Sequence, residues 1–327
     1  MSSQRPGDSQ QRQQGAGATQ GGGQRGVAAA LAPSFRNITA VSSGLGEVHT
    51  SSLFDEAHAE QNLSPLDQYI ENTNALNRLY LGRVPLPAEM GPLIVLGYVS
   101  AVESYFRALF RGLINVDDFA ARLAEPQAVA FGAALHLDKS MLPEALIEEY
   151  SFSSSANIKD AIRVLAGVKG SFPTEVEGAL LEFQKVCELR HCCVHRFGRL
   201  GAKNAIKLGL ASHRSKLEKP LKLDSGSLEE IGIVLRSFVK VINNFIFGAL
   251  MDRSVRNRVD GHRLPPYANE WSWRWRSDKR RFMSYYDLFA TELDAMPSPS
   301  AKELYDSLSA FALELRTRNQ GRPTRQS

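Results

Sequence analysis

The sequence predicts an all-α protein built round a bundle of about four long helices, and three observations carry that expectation. Apolar residues recur at steps of three and four through the middle of the chain, as in Leu96, Val99, Phe106, Phe110 and Leu113, the period of a helix with one buried face. Helix-start signals precede these runs. The 327 residues are 43% apolar and 23% charged, which is enough to close one large core or two modest ones.

The elements follow in order. Residues 1–40 contain SQRPGDSQQRQQGAGATQGGGQRG, whose scarce apolar side chains cannot offset the entropy of ordering it, so a disordered Gln/Gly-rich tail is expected. Residues 62–252 are expected to form the helical domain. Its first helix begins in SPLDQYIENTNALNRLYLG, with Ser64 as N-cap and Pro65 at the first helical position. The longest runs through LIVLGYVSAVESYFRALFRGLI, where Glu103 occupies the missing step of the apolar stripe.

Shorter helices are expected over 117–136, 143–150 and 157–168. Thr174 and Glu177 then have the spacing of a capping box, announcing a helix to about Arg196 that Gly198 stops. A short strand is expected near Ala205 to Leu210, and Ser227 with Glu230 repeats the cap spacing before IGIVLRSFVKVINNFIFGALM. Residues 253–327 read as a basic extension. In NEWSWRWRSDKRRF, Trp271, Trp273 and Trp275 fall at period two with Arg274 and Arg276 on the other face, which predicts a strand. Helices over about 284–295 and 299–316 follow it.

Charge is unevenly spread. Residues 1–40 carry four Arg and one Asp, residues 252–327 fourteen Arg/Lys and ten Asp/Glu, and the middle twenty-one against twenty-four. A polyanionic partner is therefore expected to meet the basic ends, with any contact in the middle being local. No run reaches the roughly 18 consecutive apolar residues of a membrane helix, and no basic-then-apolar leader opens the chain. A soluble, cytoplasmic protein without membrane contact is expected. Cys187, Cys192 and Cys193 lie within seven residues and have no distant partners, which opposes a disulfide framework.

The densest chemistry is in ELRHCCVHRFG, residues 188–198. Val176, Leu180, Phe183, Cys187, Arg190 and Val194 step by four and three, so Arg190 falls on the face expected to be buried. A guanidinium is never deprotonated in practice and burying it unpaired costs several kcal/mol. Its head must snorkel to solvent, or a carboxylate, phosphate or cleft must receive it, Glu103 being the candidate carboxylate. Cys187, His191 and His195 form a C-x3-H-x3-H line with ligand types that suit zinc. No second constellation completes a four-ligand site, so no metal or other cofactor is expected. The adjacent Cys192 and Cys193 point about 100° apart on a helix and read as small packing residues.

Arg190, four residues and His195, near the end of a helix in a helical bundle, resemble the R-x4-6-H motif of the HEPN superfamily, many of whose members are ribonucleases. His191 occupies the place after the Arg where that family often has a polar residue. The helix GYVSAVESYFRALF with its embedded Glu103, and the apolar helix after the motif, extend the resemblance over roughly 90–252. Phe197 stands where one subgroup, paired with nucleotidyltransferase antitoxins, has a Tyr that accepts a nucleotide, so that form of regulation is not expected.

The resemblance implies a metal-independent endoribonuclease of toxin or phage-defence type, with an antitoxin or other regulatory protein as a further partner. In it, His195 acts as general base or acid and Arg190 clamps the scissile phosphate, with His191 and Glu103 in support. The residue types suit the task. Histidine titrates near neutrality, and arginine offers forked donors with a permanent charge. Five residues turn an ideal helix by about 500°, leaving Arg190 and His195 about 140° apart. A frayed helix end would help bring such groups together, and a homodimer in which two motifs face one another across a shared cleft, as HEPN proteins commonly form, is expected. The alternative is a catalytically silent scaffold that binds nucleotide, RNA or protein. Arg196, Trp271, Trp273, Arg274, Trp275 and Arg276 are candidate RNA contacts, by stacking and phosphate pairing, while the competing expectation has the three Trp cover the bundle or a partner.

Overall fold

The computed structural model describes residues 46–59, 61–256 and 271–320, with positions 35, 38, 39, 258, 259, 262 and 263 besides. The tail expected over 1–40 lies almost wholly outside the described residues. Two compact units are distinguished. Among the described residues of the first, residues 1–60, there is one 3-10 turn, Thr50–Leu53, with no buried side chain.

The described residues of the second unit are mainly helical. In chain order it comprises α1 Pro65–Tyr80, α2 Met90–Val116, α3 Asp118–Ala124, α4 Phe131–His136, α5 Leu142–Glu148, α6 Ser155–Leu165 and α7 Thr174–Arg196. There follow α8 Ala202–Lys207, α9 Leu210–His213, α10 Ser225–Arg256, α11 Trp275–Phe289 and α12 Ala301–Gln320. Two-residue strands β1 Arg258–Val259 and β2 His262–Arg263 pair antiparallel. The all-α expectation holds. The strand expected at 205–210 is absent, because that stretch forms the end of α8 and the start of α9. The region expected as helix over 117–136 divides into α3 and α4.

The helix starts differ from the expected caps in an instructive way. Ser64 does cap α1, its Oγ accepting from the Asp67 amide at 3.1 Å. Thr174, by contrast, is already the first helical residue of α7, and no side chain caps that end. Glu177 turns instead to Lys159 on α6, 2.5 Å away. At α10 the Asp224 carboxylate, not Ser227, is the acceptor, taking the Ser227 amide at 2.8 Å and its hydroxyl at 2.7 Å. An S-x-x-E spacing marks the neighbourhood of a start, but which oxygen is used depends on where the chain enters.

α2 packs against α1, α7 and α10. The alternation of Tyr, Phe and Leu along α2 makes this possible, since Tyr105, Phe106, Leu109, Phe110 and Leu113 all lie on its buried side. Phe106 meets Phe110, Phe152 and Phe238, and Phe183 of α7 stacks on Phe238 of α10 with ring centroids 4.3 Å apart. Each fully buried Phe contributes about 1.5–3 kcal/mol, so this aromatic seam fixes the depth of α7. By length and composition α2 and α10 are each apolar enough to cross a bilayer. Here they are the bundle's central helices.

The segment after residue 252 belongs to the same core. The boundary expected at 252/253 falls inside α10, and Phe282, Tyr285, Leu288, Phe289, Tyr305 and Leu308 join the cluster formed by α1, α2, α7 and α10. Three buried polar anchors tie it down. Asp117 accepts from Tyr285 at 2.8 Å and from Arg253 at 2.6 Å. Asp67 accepts from the Thr291 hydroxyl and from the Glu292 amide at 3.0 Å. Asn243 donates to the Phe289 carbonyl at 2.9 Å.

The strand expected at Trp271–Arg276 is not formed. Residues 271–274 are an irregular entry, Trp273 has φ 58°, and Trp275 already begins α11. Period two over six residues is shared by a strand and by a bent approach to a helix, and Asp278 selects the bend. Its carboxylate accepts from the Ser272 amide at 3.1 Å, the Ser272 hydroxyl at 2.8 Å and the Tyr305 hydroxyl at 2.6 Å. These bonds, with burial opposing them, hold Asp278 below its ordinary carboxylate range.

Candidate functional site

The site is the C-terminal third of α7. The apolar stripe holds through Val176, Leu180, Phe183 and Cys187, all buried, then changes face. Val194 is exposed, Arg190 is half-buried, and Cys192 and Cys193 are buried instead. The reason lies in the chain that follows, since Cys192 packs with Leu200 and Ala205 in a second small cluster beside α8. Burial therefore passes to another side of the helix just where the motif begins.

The helix stays regular through Arg196 and does not fray. It ends on two left-handed residues, Phe197 at φ 49°, ψ 46° and Gly198 at φ 83°, with the Gly198 amide donating to the Cys192 carbonyl at 3.0 Å. Glycine suits that conformation and a bulky side chain opposes it. Phe197 is nonetheless there, 89% exposed.

Glu188 is the residue that inspection of the sequence missed. Its carboxylate is 1% exposed and receives Gln184 at 2.8 Å, Asn204 at 2.8 Å and Lys207 at 2.7 Å, with His191 Nδ1 3.5 Å away. Burial would raise its pKa, and the bonds from Lys207, Asn204 and Gln184 outweigh this, holding the group below its ordinary value. Asn204 and Lys207 belong to α8, so Glu188 pins the returning chain to α7. A signal existed in the sequence: Gln184, Glu188, His191 and His195 step by four, three and four, a polar line beside the apolar one.

The other expected residues sort as follows. Glu103 is half-buried on α2, and no hydrogen bond or ion pair joins it to Arg190; the expected pairing is corrected. The two are close enough to the Cys187 thiol to act on it in opposite senses. Burial first, then the negative charges of Glu188 and Glu103, push Cys187 up to about 12, against the opposing Arg190. Burial likewise raises Cys193 to about 11. These thiols are protonated packing groups at neutral pH. With Cys187 buried and His195 exposed, the C-x3-H-x3-H line has no common focus.

His191 and His195 lie one turn apart with ring centroids separated by 6.1 Å. Arg196, a candidate RNA contact, is held by Glu218 at 2.5 and 2.6 Å. Trp271 is buried, donates to Ser254 Oγ at 2.9 Å and packs on Phe282 and Tyr305. Trp275 packs on the same two rings, and Arg316 lies over Trp273. The indoles cover the bundle, while Arg274 and Arg276 remain exposed.

Neither Arg190 nor His195 has a hydrogen-bond or ion-pair partner among the described residues. One is half-buried and the other open to solvent, and the unbroken helix keeps them about 140° apart in angle. A single copy thus presents a guanidinium and an imidazole on different sides of one helix end. No protein-family model matches the chain, and comparison with curated proteins and with solved structures found no match.

Proposed function

We propose that this protein is a metal-independent endoribonuclease of the HEPN type, acting as a homodimer in the cytoplasm in a toxin or phage-defence role. The observation that carries the reading is Arg190. A half-buried guanidinium on a core helix, without a carboxylate partner among the described residues, leaves its donors available to an external anion. His195, exposed five residues later, supplies the imidazole for proton transfer.

In this reading the ribose 2′-hydroxyl attacks the adjacent phosphorus while a His195 imidazole removes its proton. The P–O2′ bond forms, the P–O5′ bond breaks, and an imidazolium returns a proton to the leaving 5′-oxygen. The products carry 2′,3′-cyclic phosphate and 5′-hydroxyl ends. Arg190 holds the equatorial oxygens as charge accumulates on them. Because one helix keeps the two groups apart, the second copy completes the cleft, and the two His195 residues take the base and acid roles. His191, beside the buried Glu188, acts as a positioning residue.

Purified protein incubated with RNA in EDTA tests the reading. Cleavage that leaves cyclic-phosphate ends and is lost in both Arg190→Ala and His195→Ala is the expected result. Cleavage indifferent to both changes removes the site. A second reading, a silent scaffold of the same fold that binds RNA or a partner, is favoured by the separation of the two groups in one chain, and it predicts binding without cleavage.

A further inference from the structure

Residues 199–222 carry the cations Arg199, Lys203, Lys207, Arg214, Lys216, Lys219 and Lys222 against one carboxylate, Glu218. The middle of the chain is acidic as a whole, so this excursion is a basic island directly behind the motif. All seven cations are exposed. Lys207 is engaged by Glu188 and Glu218 by Arg196. The remaining six cations have no carboxylate within ion-pair distance among the described residues.

The excursion is held as a built element. It leaves and rejoins the bundle at one place: the Leu200 amide donates to the Lys219 carbonyl at 3.0 Å, and the Leu221 amide to the Gly198 carbonyl at 2.8 Å. At its base lies a groove of about 1010 Å³ whose wall includes Phe197, Arg199 and Lys222 on one side and Arg83, Val84 and Pro85 on the other. Glu89 and Asp224 also line it, Asp224 being taken up by the α10 start. Phe197 stands there in a left-handed conformation that costs a bulky residue about 1–2 kcal/mol, with its ring turned to solvent. A strained, exposed aromatic ring at the edge of a basic surface is a stacking platform in search of a flat ligand.

We infer that residues 199–222 form an arm that binds single-stranded RNA, its cations gripping successive phosphates and Phe197 stacking one base two residues beyond His195. The choice of RNA rests on the reading above; the charge and the exposed ring do not. Unpaired RNA is the class that fits, because a base must be unstacked to reach an aromatic face. The arm supplies affinity without sequence, delivering the strand to the end of α7.

The test uses the full chain and a fluorescent, fully 2′-O-methylated single strand of about 20 nucleotides, which cannot be cut by 2′-oxygen attack, titrated over roughly 50 to 200 mM KCl. Wild type is expected to bind with a steep salt dependence. The Lys216→Gln/Lys219→Gln/Lys222→Gln variant is expected to lose at least tenfold in affinity, and its slope of log K against log salt should fall by about 2, since each single-strand phosphate contact contributes about 0.7. Phe197→Ala is expected to lose about tenfold with an unchanged slope. Lys203→Gln/Arg214→Gln repeats the charge test should the triple variant fail to fold. No binding by wild type, or equal affinity and slope in the charge variants, overturns the arm. Binding that persists in Arg190→Ala while wild type never cuts normal RNA instead overturns the nuclease reading and leaves the arm standing.

Discussion

Two segments of this chain combine aromatic or imidazole rings with arginines in a short space, and the fold uses them in opposite ways. At 271–276 the rings turn inward: Trp271 is 7% exposed and bonded to Ser254, and Trp273 lies beneath Arg316. At 188–198 the rings of His195 and Phe197 are exposed and Arg190 has no internal hydrogen-bond or ion-pair partner among the described residues, while of the charged side chains there Glu188 alone is buried. The difference lies in what the neighbouring chain offers. Tyr305 of α12 and Phe282 of α11 supply an apolar wall that Trp275 and Trp271 complete, whereas α7 ends at an open groove between the basic excursion and the segment of Arg83, Val84 and Pro85. Local composition is therefore a poor guide to whether aromatic and cationic residues serve packing or binding; the deciding quantity is the apolar surface left uncovered nearby.

The comparison breaks most visibly at Trp271. Trp271→Ala should destabilise the fold by ~3–5 kcal/mol through the cavity it leaves, measured by denaturant unfolding; a loss below about 1 kcal/mol would mean that the indole is a surface group after all. At the other segment, Arg190→Ala and His195→Ala should each lower RNA cleavage at least 100-fold, about 3 kcal/mol in barrier, while unfolding free energy moves by no more than about 0.5 kcal/mol.

Glu188 sits between these extremes, a polar residue that is structural. Glu188→Gln should cost about 2–3 kcal/mol at neutral pH. Since its folded pKa is lowered, its contribution is present above the unfolded value of about 4.3 and disappears as pH falls through the folded one. Thermal melts of wild type and variant should therefore draw together as pH falls below the unfolded value of about 4.3, and a gap that stays constant to about pH 3 would contradict the assignment. The smallest effect concerns Phe197. Phe197→Gly should stabilise the protein by about 1 kcal/mol, because glycine accepts the left-handed conformation freely. Neutral or negative stability on that change would remove the claim that the ring is held there against a backbone cost.

Much of this was legible from the residues. Ser64 and Pro65 mark the start of α1, the Phe and Leu steps mark α2, and α7 occupies the expected stretch from Thr174 to Arg196 although the expected capping box is not formed. The partners were not legible. Glu103 and Arg190 were each placed on an apolar stripe, yet helix phase gives only the side a residue faces and says nothing of which residue on another helix lies opposite. Glu188 was overlooked for the same reason, because Asn204 and Lys207 reach it only when the chain after Gly198 folds back. The period-two Trp run fits a strand and a bent approach to a helix equally well over six residues, and Asp278 decides between them from within the following helix.

The sequence by itself determined that this protein is helical, where its longest helices lie, and that Arg190, His191 and His195 cluster near a helix end, because periodicity and caps are local properties of the chain. Only the tertiary structure decided that Glu188 anchors the returning segment, that the tryptophans close the core, and that a basic arm and an exposed Phe197 adjoin the motif. Those outcomes depend on which surfaces meet across long sequence separations, and the free energy of burial is settled by the pairing of surfaces that no single segment contains.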